Sequence, residues 1–357
     1  MGTRPEAIKL SPIAAALARR GLAPLLVFTG QHPGLEPAGF GLGDFPSLTF
    51  ACPGRADPDA HVEQVRAALG AAMAPPPTLI IVQGDTSSAL GAALAGFEAK
   101  VAVAHVEAGL RTHDLASPWP EEGYRTAIDA AATLLFAPTD LAAANLAAEN
   151  PPGAVFVTGN SGIDATLAAE ALLPPPSLRE TGKRVLLVTC HRRESWGAGL
   201  AGIALALRAI ADRGTAAVRF VLHPNRHVAA VMRELLGGRA GIALIPPCNH
   251  AAMLQQMREA DLIVSDSGGI QEEAPALGVP LLVLRDKTER PEGLASGNSL
   301  LVGTDPERIM AEVERLLGDP VALALMSRRA FPFGDGLSSP RIAGLIEEWL
   351  AEKRLRV

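Results

Sequence analysis

The sequence predicts an α/β protein built from two doubly wound, Rossmann-like halves. Short apolar runs rich in β-branched residues alternate with amphipathic segments from end to end, the pattern of parallel sheets wrapped by helices. The 357 residues are enough for two domains, each burying its own core. A stretch of prolines and polar residues, Leu173 to Lys183, interrupts the alternation near the middle and suits a linker. The first domain is therefore expected over residues 1–173 and the second over 183–339, with the carboxyl ends of both sheets facing a central cleft.

The strands expected in the first half are Leu25–Thr29, Leu79–Gln83, Val101–His105, Leu134–Ala137 and Val155–Thr158. Those in the second half are Val185–Thr189, Arg219–Leu222, Ile242–Ile245, Leu262–Ser265 and Leu281–Leu284. The chain opens on Met1-Gly2-Thr3-Arg4-Pro5-Glu6, which has the form of a loop and helix start that follow a strand, yet no strand residues come before it. Either the chain begins internally or the first domain lacks a strand. Gly39-Phe40-Gly41-Leu42-Gly43 has the wrong spacing for a dinucleotide fingerprint and no strand before it, so it reads as a loop.

Composition narrows the function. A net charge of -6 offers no basic field for nucleic acid, so an anionic ligand has to be held by locally gathered Arg and Lys. Cys52, Cys190 and Cys248 are widely spaced and form no Cys-x-x-Cys pair, which points to neither a disulfide framework nor a zinc site. The uncharged run Ala67 to Gly84 is broken by Pro75-Pro76-Pro77 into a helix end and a strand, and no signal peptide precedes Gly2. The expectation is a cytoplasmic protein, with no cofactor and no metal.

The chemistry concentrates where the run VAVAH (Val101 to His105) enters Val106 to Arg125, a stretch holding Glu107, Arg111, Asp114, Glu121, Glu122 and Arg125. Carboxylates there can move protons, and guanidinium groups can hold an anion. Pro118-Trp119-Pro120-Glu121-Glu122 reads equally as a helix start, with proline and acids in the first turn. Gly84-Asp85-Thr86 follows the neighbouring strand, and strands ~5 Å apart would let Asp85 and Glu107 face one substrate. Asp85 could instead be the N-cap of the next helix.

In the second half, Ser265-Asp266-Ser267-Gly268-Gly269-Ile270-Gln271-Glu272-Glu273 opens a helix after a strand. Its glycines allow backbone N–H groups to approach a phosphate, and Glu273 is placed to accept from ribose hydroxyls. The alternative is a tight turn with acids in the helix's first turn. Thr189-Cys190-His191-Arg192-Arg193-Glu194-Ser195 follows another strand; a histidine flanked by arginines suits a diphosphate better than a cation. Arg285 and Arg290 add positive charge after Leu281–Leu284.

Taken together, GTRPEAIK (Gly2 to Lys9), QGDT (Gln83 to Thr86), HVEAGLRT (His105 to Thr112), PWPEE (Pro118 to Glu122), HRRES (His191 to Ser195), SDSGGIQEEAP (Ser265 to Pro275) and TERPE (Thr288 to Glu292) closely resemble the bacterial non-hydrolysing UDP-N-acetylglucosamine 2-epimerases. The resemblance implies a GT-B fold, with the last helix, within residues 340–357, packing back on the first domain. It implies UDP-sugar-binding positions at Arg4, Lys9, His191, Ser267, Gly268, Gly269, Glu273 and Arg290. It places proton transfer at Asp85, Glu107 and Glu121, with Arg125 beside them and His191 acting on the leaving diphosphate. A homodimer is the expected assembly. Met253 stands where relatives carry an aromatic residue, and Gln31-His32-Pro33-Gly34 only partly retains a segment that in some relatives binds a second, activating UDP-sugar.

Reaction chemistry runs the same way. C2 of an N-acetylhexosamine lies beside an acetal carbon, so its hydrogen is not acidified by a carbonyl, and epimerisation needs either oxidation or departure of the C1 substituent. With no nicotinamide fingerprint, elimination of UDP is the remaining route, and inversion requires acid/base groups on two faces. Three alternatives stay open: a 2-epimerase of a more modified UDP-acetamido sugar, a hydrolysing 2-epimerase, and a GT-B glycosyltransferase. A nucleotide-sugar-binding protein without turnover is disfavoured by the carboxylate set.

Overall fold

A computed structural model describes residues 1–176, 182–190, 198–223 and 225–355. The chain divides into two compact units, Met1–Ala165 with Phe333–Val357, and Thr166–Pro332. The first unit contains α1 (Arg4–Arg19), β1 (Leu26–Phe28), β2 (Ser47–Thr49), α2 (Pro58–Ala72), β3 (Leu79–Gln83), α3 (Ser87–Glu98) and β4 (Ala102–Val106). It continues through α4 (Glu121–Asp129), β5 (Leu134–Ala137), α5 (Asp140–Glu149) and β6 (Ala154–Val157) to the start of α6 (Ser161–Leu172). The division falls inside α6 rather than in the proline-rich stretch that follows it. Ala169 and Leu173 explain this, since they pack on the core of the second unit.

Strands β3 to β6 form one parallel sheet in sequential order. Its two faces are both covered, which is why its strands read as apolar runs rather than as alternating patterns. Ala104, Val106, Leu134 and Phe136 pack with Leu10, Ile13 and Leu17 of α1 and with Ile342, Ala343 and Ile346 of the last helix. Val82 and Val103 point the other way, onto Val62, Leu90, Tyr124 and Ile128 from α2, α3 and α4.

Strands β1 and β2 pair only with each other and stand apart from this sheet. Between β1 and β3 lies a slot of about 510 Å³, lined by Met1, Ile13, Val27, Ile81, Ala92 and Ile346 among others. Leu26 N donates to Pro46 O and Phe28 O accepts from Phe50 N, so these residues face β2 and Val27 faces the slot. On β3 the bond from Gly84 N to Val106 O sets the alternation that turns Ile81 toward the same space. Met1 makes a rung there: its ammonium donates to Val27 O at 2.8 Å and its carbonyl accepts from Thr29 N at 3.0 Å. Burial pushes the pKa of that ammonium down.

The second unit begins in α6 and runs through β7 (Val185–Thr189), α7 (Ala198–Asp212), β8 (Ala217–Val221), α8 (Arg226–Leu236), β9 (Ile242–Ile245), α9 (His250–Glu259) and β10 (Leu262–Ser265). It closes with α10 (Gly268–Leu277), β11 (Leu281–Val283), α11 (Glu292–Ala295), β12 (Ser299–Leu301), α12 (Pro306–Gly318) and α13 (Pro320–Met326). Among the described residues its parallel strands follow the order β12-β11-β10-β7-β8-β9. The order reverses direction between β7 and β10, the switch point at whose carboxyl edge ligands bind in open α/β sheets. Phe220, Ile203 and Leu207 anchor one face, and Leu254, Met257 and Ile270 the other.

The last helix, α14 (Ser338–Leu355), belongs to the first unit and begins two residues before the expected 340. Asp164 fixes that start by accepting from Ser338 N at 3.2 Å and Ser339 N at 2.7 Å. Two short strands, β2 and β12, were not expected, and the segment read as a loop around Gly39 contains a single 3-10 turn, Pro37–Phe40. No helix among the described residues is long and apolar enough to cross a membrane.

Candidate active site

In the first unit the carboxyl ends of β3 and β4 lie side by side, with Gln83 registered against Val106. The chain leaves both strands through left-handed backbone, φ +67 at Gly84 and φ +70 at Glu107. Glycine adopts that conformation freely, whereas a glutamate does so at a cost of about 1–3 kcal/mol. The turn at Glu107 is held by Phe136 O, which accepts from Glu107 N at 3.0 Å and from Ala108 N at 3.1 Å.

The turn sends the Glu107 carboxylate into a buried nest of donors. Lys9 Nζ of α1 lies 2.6 Å from Oε1, Asn160 Nδ2 donates to the same oxygen at 3.4 Å, and Gln83 Nε2 donates to Oε2. Glu107 also reaches across to the neighbouring loop, for a Cβ at Gly84 would lie 3.6 Å from its Oε2.

Asp85, next after Gly84, is half-buried and bound by Arg125 of α4: its Oδ2 accepts from Arg125 Nε at 3.0 Å and from Nη2. Arg125 Nη1 then meets the buried Glu122 at 3.1 Å, and Glu122 Oε1 accepts from Thr112 N and His113 N, both at 2.9 Å. Asp85 is not the N-cap of α3. That role belongs to Thr86, whose hydroxyl accepts from Ala89 N at 3.0 Å. Glu121 is half-buried and opens α4, so the helix-start reading of PWPEE holds for the backbone.

Arg4 and Lys9 both lie on α1, Arg4 exposed at its first position and Lys9 buried one and a half turns later. The entry to α1 is tight. Glu6 Oε2 accepts from Thr3 N at 2.7 Å and Gly2 N at 3.1 Å, and a Cβ on Gly2 would fall 2.0 Å from Ser88 Oγ. In the Gln31–Gly34 segment, Gln31 Oε1 accepts from Ser88 Oγ at 2.7 Å, and burial pushes the His32 pKa down.

Beneath this cluster sits a network that sequence reasoning missed. His105 and Asp129, both with 0% exposure, meet at 2.6 Å, and Arg111 Nη2 lies 2.8 Å from Asp129 Oδ2. Burial would raise the Asp129 pKa, but His105 and Arg111 hold it below the usual carboxylate range. The signal in the sequence was the pair of polar residues His105 and Arg111 on either side of Glu107, in a stretch whose remaining members Val106, Ala108, Gly109 and Leu110 are apolar or small.

In the second unit Ser265 and Thr189, the last residues of β10 and β7, join through their hydroxyls at 2.6 Å across the switch point. Ser267 caps α10, and Gly268 and Gly269 form its first turn. A Cβ on Gly268 would lie 2.9 Å from Arg290 Nη1, so glycine is what admits the guanidinium beside the helix N-terminus. Arg290 is held there by Glu272 at 2.6 Å and by Glu289, and Thr288 Oγ1 donates to Gln271 at 2.6 Å. Gly269 is less crowded among the described residues, where its Cβ would meet Ser267 Oγ at 3.9 Å.

Glu273 Oε1 pairs with His250 Nε2 at 2.8 Å, a partner not anticipated from the sequence. Burial works to lower the His250 pKa, but the hydrogen bond and charge of Glu273 prevail and raise it. Met253 packs half-buried against the core that contains Ile270. His191, Arg192, Arg193, Glu194 and Ser195 lie outside the described residues.

Two α/β units with parallel sheets, one ending in a carboxylate cluster and the other in a Ser-Gly-Gly helix start beside a half-buried arginine, define a nucleotide-sugar enzyme of the GT-B fold class. The model of the family UDP-N-acetylglucosamine 2-epimerase matches residues 15–347. The UDP-N-acetylglucosamine 2-epimerase of Yersinia pestis is 40% identical over 96% of this chain and 95% of its own length. That of Escherichia coli K12 is 39% identical over 96% and 95%. The crystal structure of the Neisseria meningitidis UDP-GlcNAc 2-epimerase bound to UDP-GlcNAc superposes with a TM-score of 0.92 at 33% identity, covering 97% of this chain and 98% of that one. The Methanocaldococcus jannaschii enzyme, in complex with UDP-GlcNAc and UDP, gives a TM-score of 0.85 at 32% identity over 97% and 98%. The chain belongs to the UDP-N-acetylglucosamine 2-epimerase family.

Proposed function

We propose that this protein interconverts UDP-N-acetylglucosamine and UDP-N-acetylmannosamine by anti elimination of UDP and its re-addition. The observation that carries the reading is the convergence of Asp85 and Glu107 from adjacent strand ends, with Glu107 reaching over Gly84.

In the forward direction one carboxylate takes the C2 proton while the C1–O bond breaks, and its electron pair leaves with UDP. The products of that half-reaction are 2-acetamidoglucal and UDP. A carboxyl group on the other face returns a proton to C2 as the diphosphate oxygen reattacks C1, so the C2 configuration inverts and no electron is gained or lost. Asp85, Glu107 and Glu121 are the proton-transfer groups in this reading, and Arg125 keeps Asp85 oriented. His191 and Arg4 stabilise the charge gathering on the departing diphosphate. In the second unit Ser267, Gly268, Gly269 and Arg290 bind the diphosphate at the α10 N-terminus, and Glu273 accepts from the ribose hydroxyls.

Incubation with UDP-N-acetylglucosamine in deuterium oxide tests it. NMR is expected to show deuterium at C2 of both epimers and traces of UDP and 2-acetamidoglucal. Epimer that keeps its original C2 hydrogen would sink the mechanism. Accumulation of free N-acetylmannosamine would mark a hydrolysing enzyme, and exchange-free transfer to an acceptor a glycosyltransferase.

A further inference from the structure

The buried His105–Asp129 pair touches the backbone of both loops that carry Asp85 and Glu107. His105 Nε2 meets Gly84 O at 2.9 Å, immediately before Asp85. Asp129 Oδ2 accepts from Gly109 N at 3.1 Å, two residues after Glu107. The partners of the imidazole are a carboxylate on one side and a backbone carbonyl on the other, and one ring orientation presents a nitrogen to each. Asp129 is in turn held by Arg111, whose Nε and Nη2 bond Glu149 at 2.7 and 2.6 Å.

These anchors fall where the chain is least able to hold itself. Gly84, Glu107 and Gly109 are all left-handed, with φ of +67, +70 and +86. A Cβ on Gly109 would lie 2.2 Å from Ala142 O, which fixes how closely that turn presses on α5. Asp129 also ends α4, the helix that starts at Glu121 and carries Arg125, the partner of Asp85. One buried hydrogen-bonded pair therefore ties the β3 loop, the β4 loop and α4 into a single frame.

From this we infer that His105 and Asp129 are positioning residues for the reaction: they set the separation and orientation of Asp85 and Glu107 without touching substrate. The inference rests on the reading of those two carboxylates as proton-transfer groups. A misplacement of about 1 Å in such a group costs up to ~10²-fold in rate while leaving binding intact. It also uncouples the two half-reactions, because the group that returns the proton is no longer aligned with the one that removed it.

The test uses His105→Asn, which keeps a donor toward Asp129, His105→Gln, which keeps one toward Gly84, and Asp129→Asn, which preserves volume. Each is expected to lower kcat by about 10–100-fold with KM and UDP affinity within about threefold. Each is also expected to raise the share of turnovers that release UDP and 2-acetamidoglucal. A near-native kcat in a folded variant overturns the inference, as does a fall in kcat matched by an equal rise in KM without extra glycal release. If the His105 variants lose their near-UV circular dichroism, Asp129→Asn decides alone by the same criteria. Asp85→Asn and Glu107→Gln run in parallel: near-native rates in those two overturn the proton-transfer reading itself, whereas their inactivation beside active His105 variants overturns only the positioning pair.

Discussion

At the scale of single residues, Glu107 is a buried carboxylate on strained backbone whose ion-pair partner, Lys9, is itself 10% exposed at the side chain. Lys9→Met takes a charged partner from a buried carboxylate, so it is expected to destabilise the protein by about 3 kcal/mol in urea melts. Glu107→Gln takes the carboxylate from the buried ammonium in turn and is expected to cost a similar amount; losses below about 1 kcal/mol in both variants would mean the pair is not a stabilising contact. Glu273 offers a second residue-scale expectation. Loss of its acceptor in Glu273→Ala should weaken UDP binding by about 1.5–3 kcal/mol by calorimetry. Its partner His250 has a folded pKa raised above the ordinary 6.5. The pair therefore contributes its full stability below that value, and the contribution is lost as pH rises through the raised pKa. The stability difference between native protein and His250→Gln is expected to be large at about pH 5.5 and to vanish by about pH 8.5; a difference that grows with pH would show that the coupling has the opposite sign.

Among the elements, α3 gives the plainest expectation. Thr86 is its cap, so Thr86→Ala should cost about 1 kcal/mol of stability and leave turnover near native, while Asp85→Asn slows turnover by at least ~10²-fold. A near-native rate in Asp85→Asn would return Asp85 to the structural role, as the partner of Arg125. The same comparison shows what the sequence made legible. Strands Leu79–Gln83, Leu134–Ala137, Val185–Thr189, Ile242–Ile245 and Leu262–Ser265 form where they were expected, because each is an apolar run of strand length bounded by turn residues. β2 and β12 were missed; each is only three residues long, too short for an alternation to register. The candidate site was legible as a set of motifs at strand ends, but not as contacts. Nothing local marks a glutamate that will take positive φ, and the separation of 24 positions between His105 and Asp129 hides a pairing that the packing of α4 on β4 creates.

For the whole molecule, the slot beside Met1 is the feature with the widest reach. A β-rich apolar segment of about five residues fused ahead of Met1 has the length and polarity to continue the rung that Met1 makes with β1, and is expected to raise the melting temperature by several degrees. An unchanged melting curve would mean that the space does not admit a strand. Val27 and Ile81 sit in the middle of their strands, yet neither N–H points into its own ladder. In amide hydrogen exchange these two positions should therefore trade their protons for solvent deuterium at the rate of sheet edges, while Leu26 and Val82 beside them stay slow. The first unit, covalently one domain, would then open as two cooperative blocks, β1–β2 ahead of β3–β6.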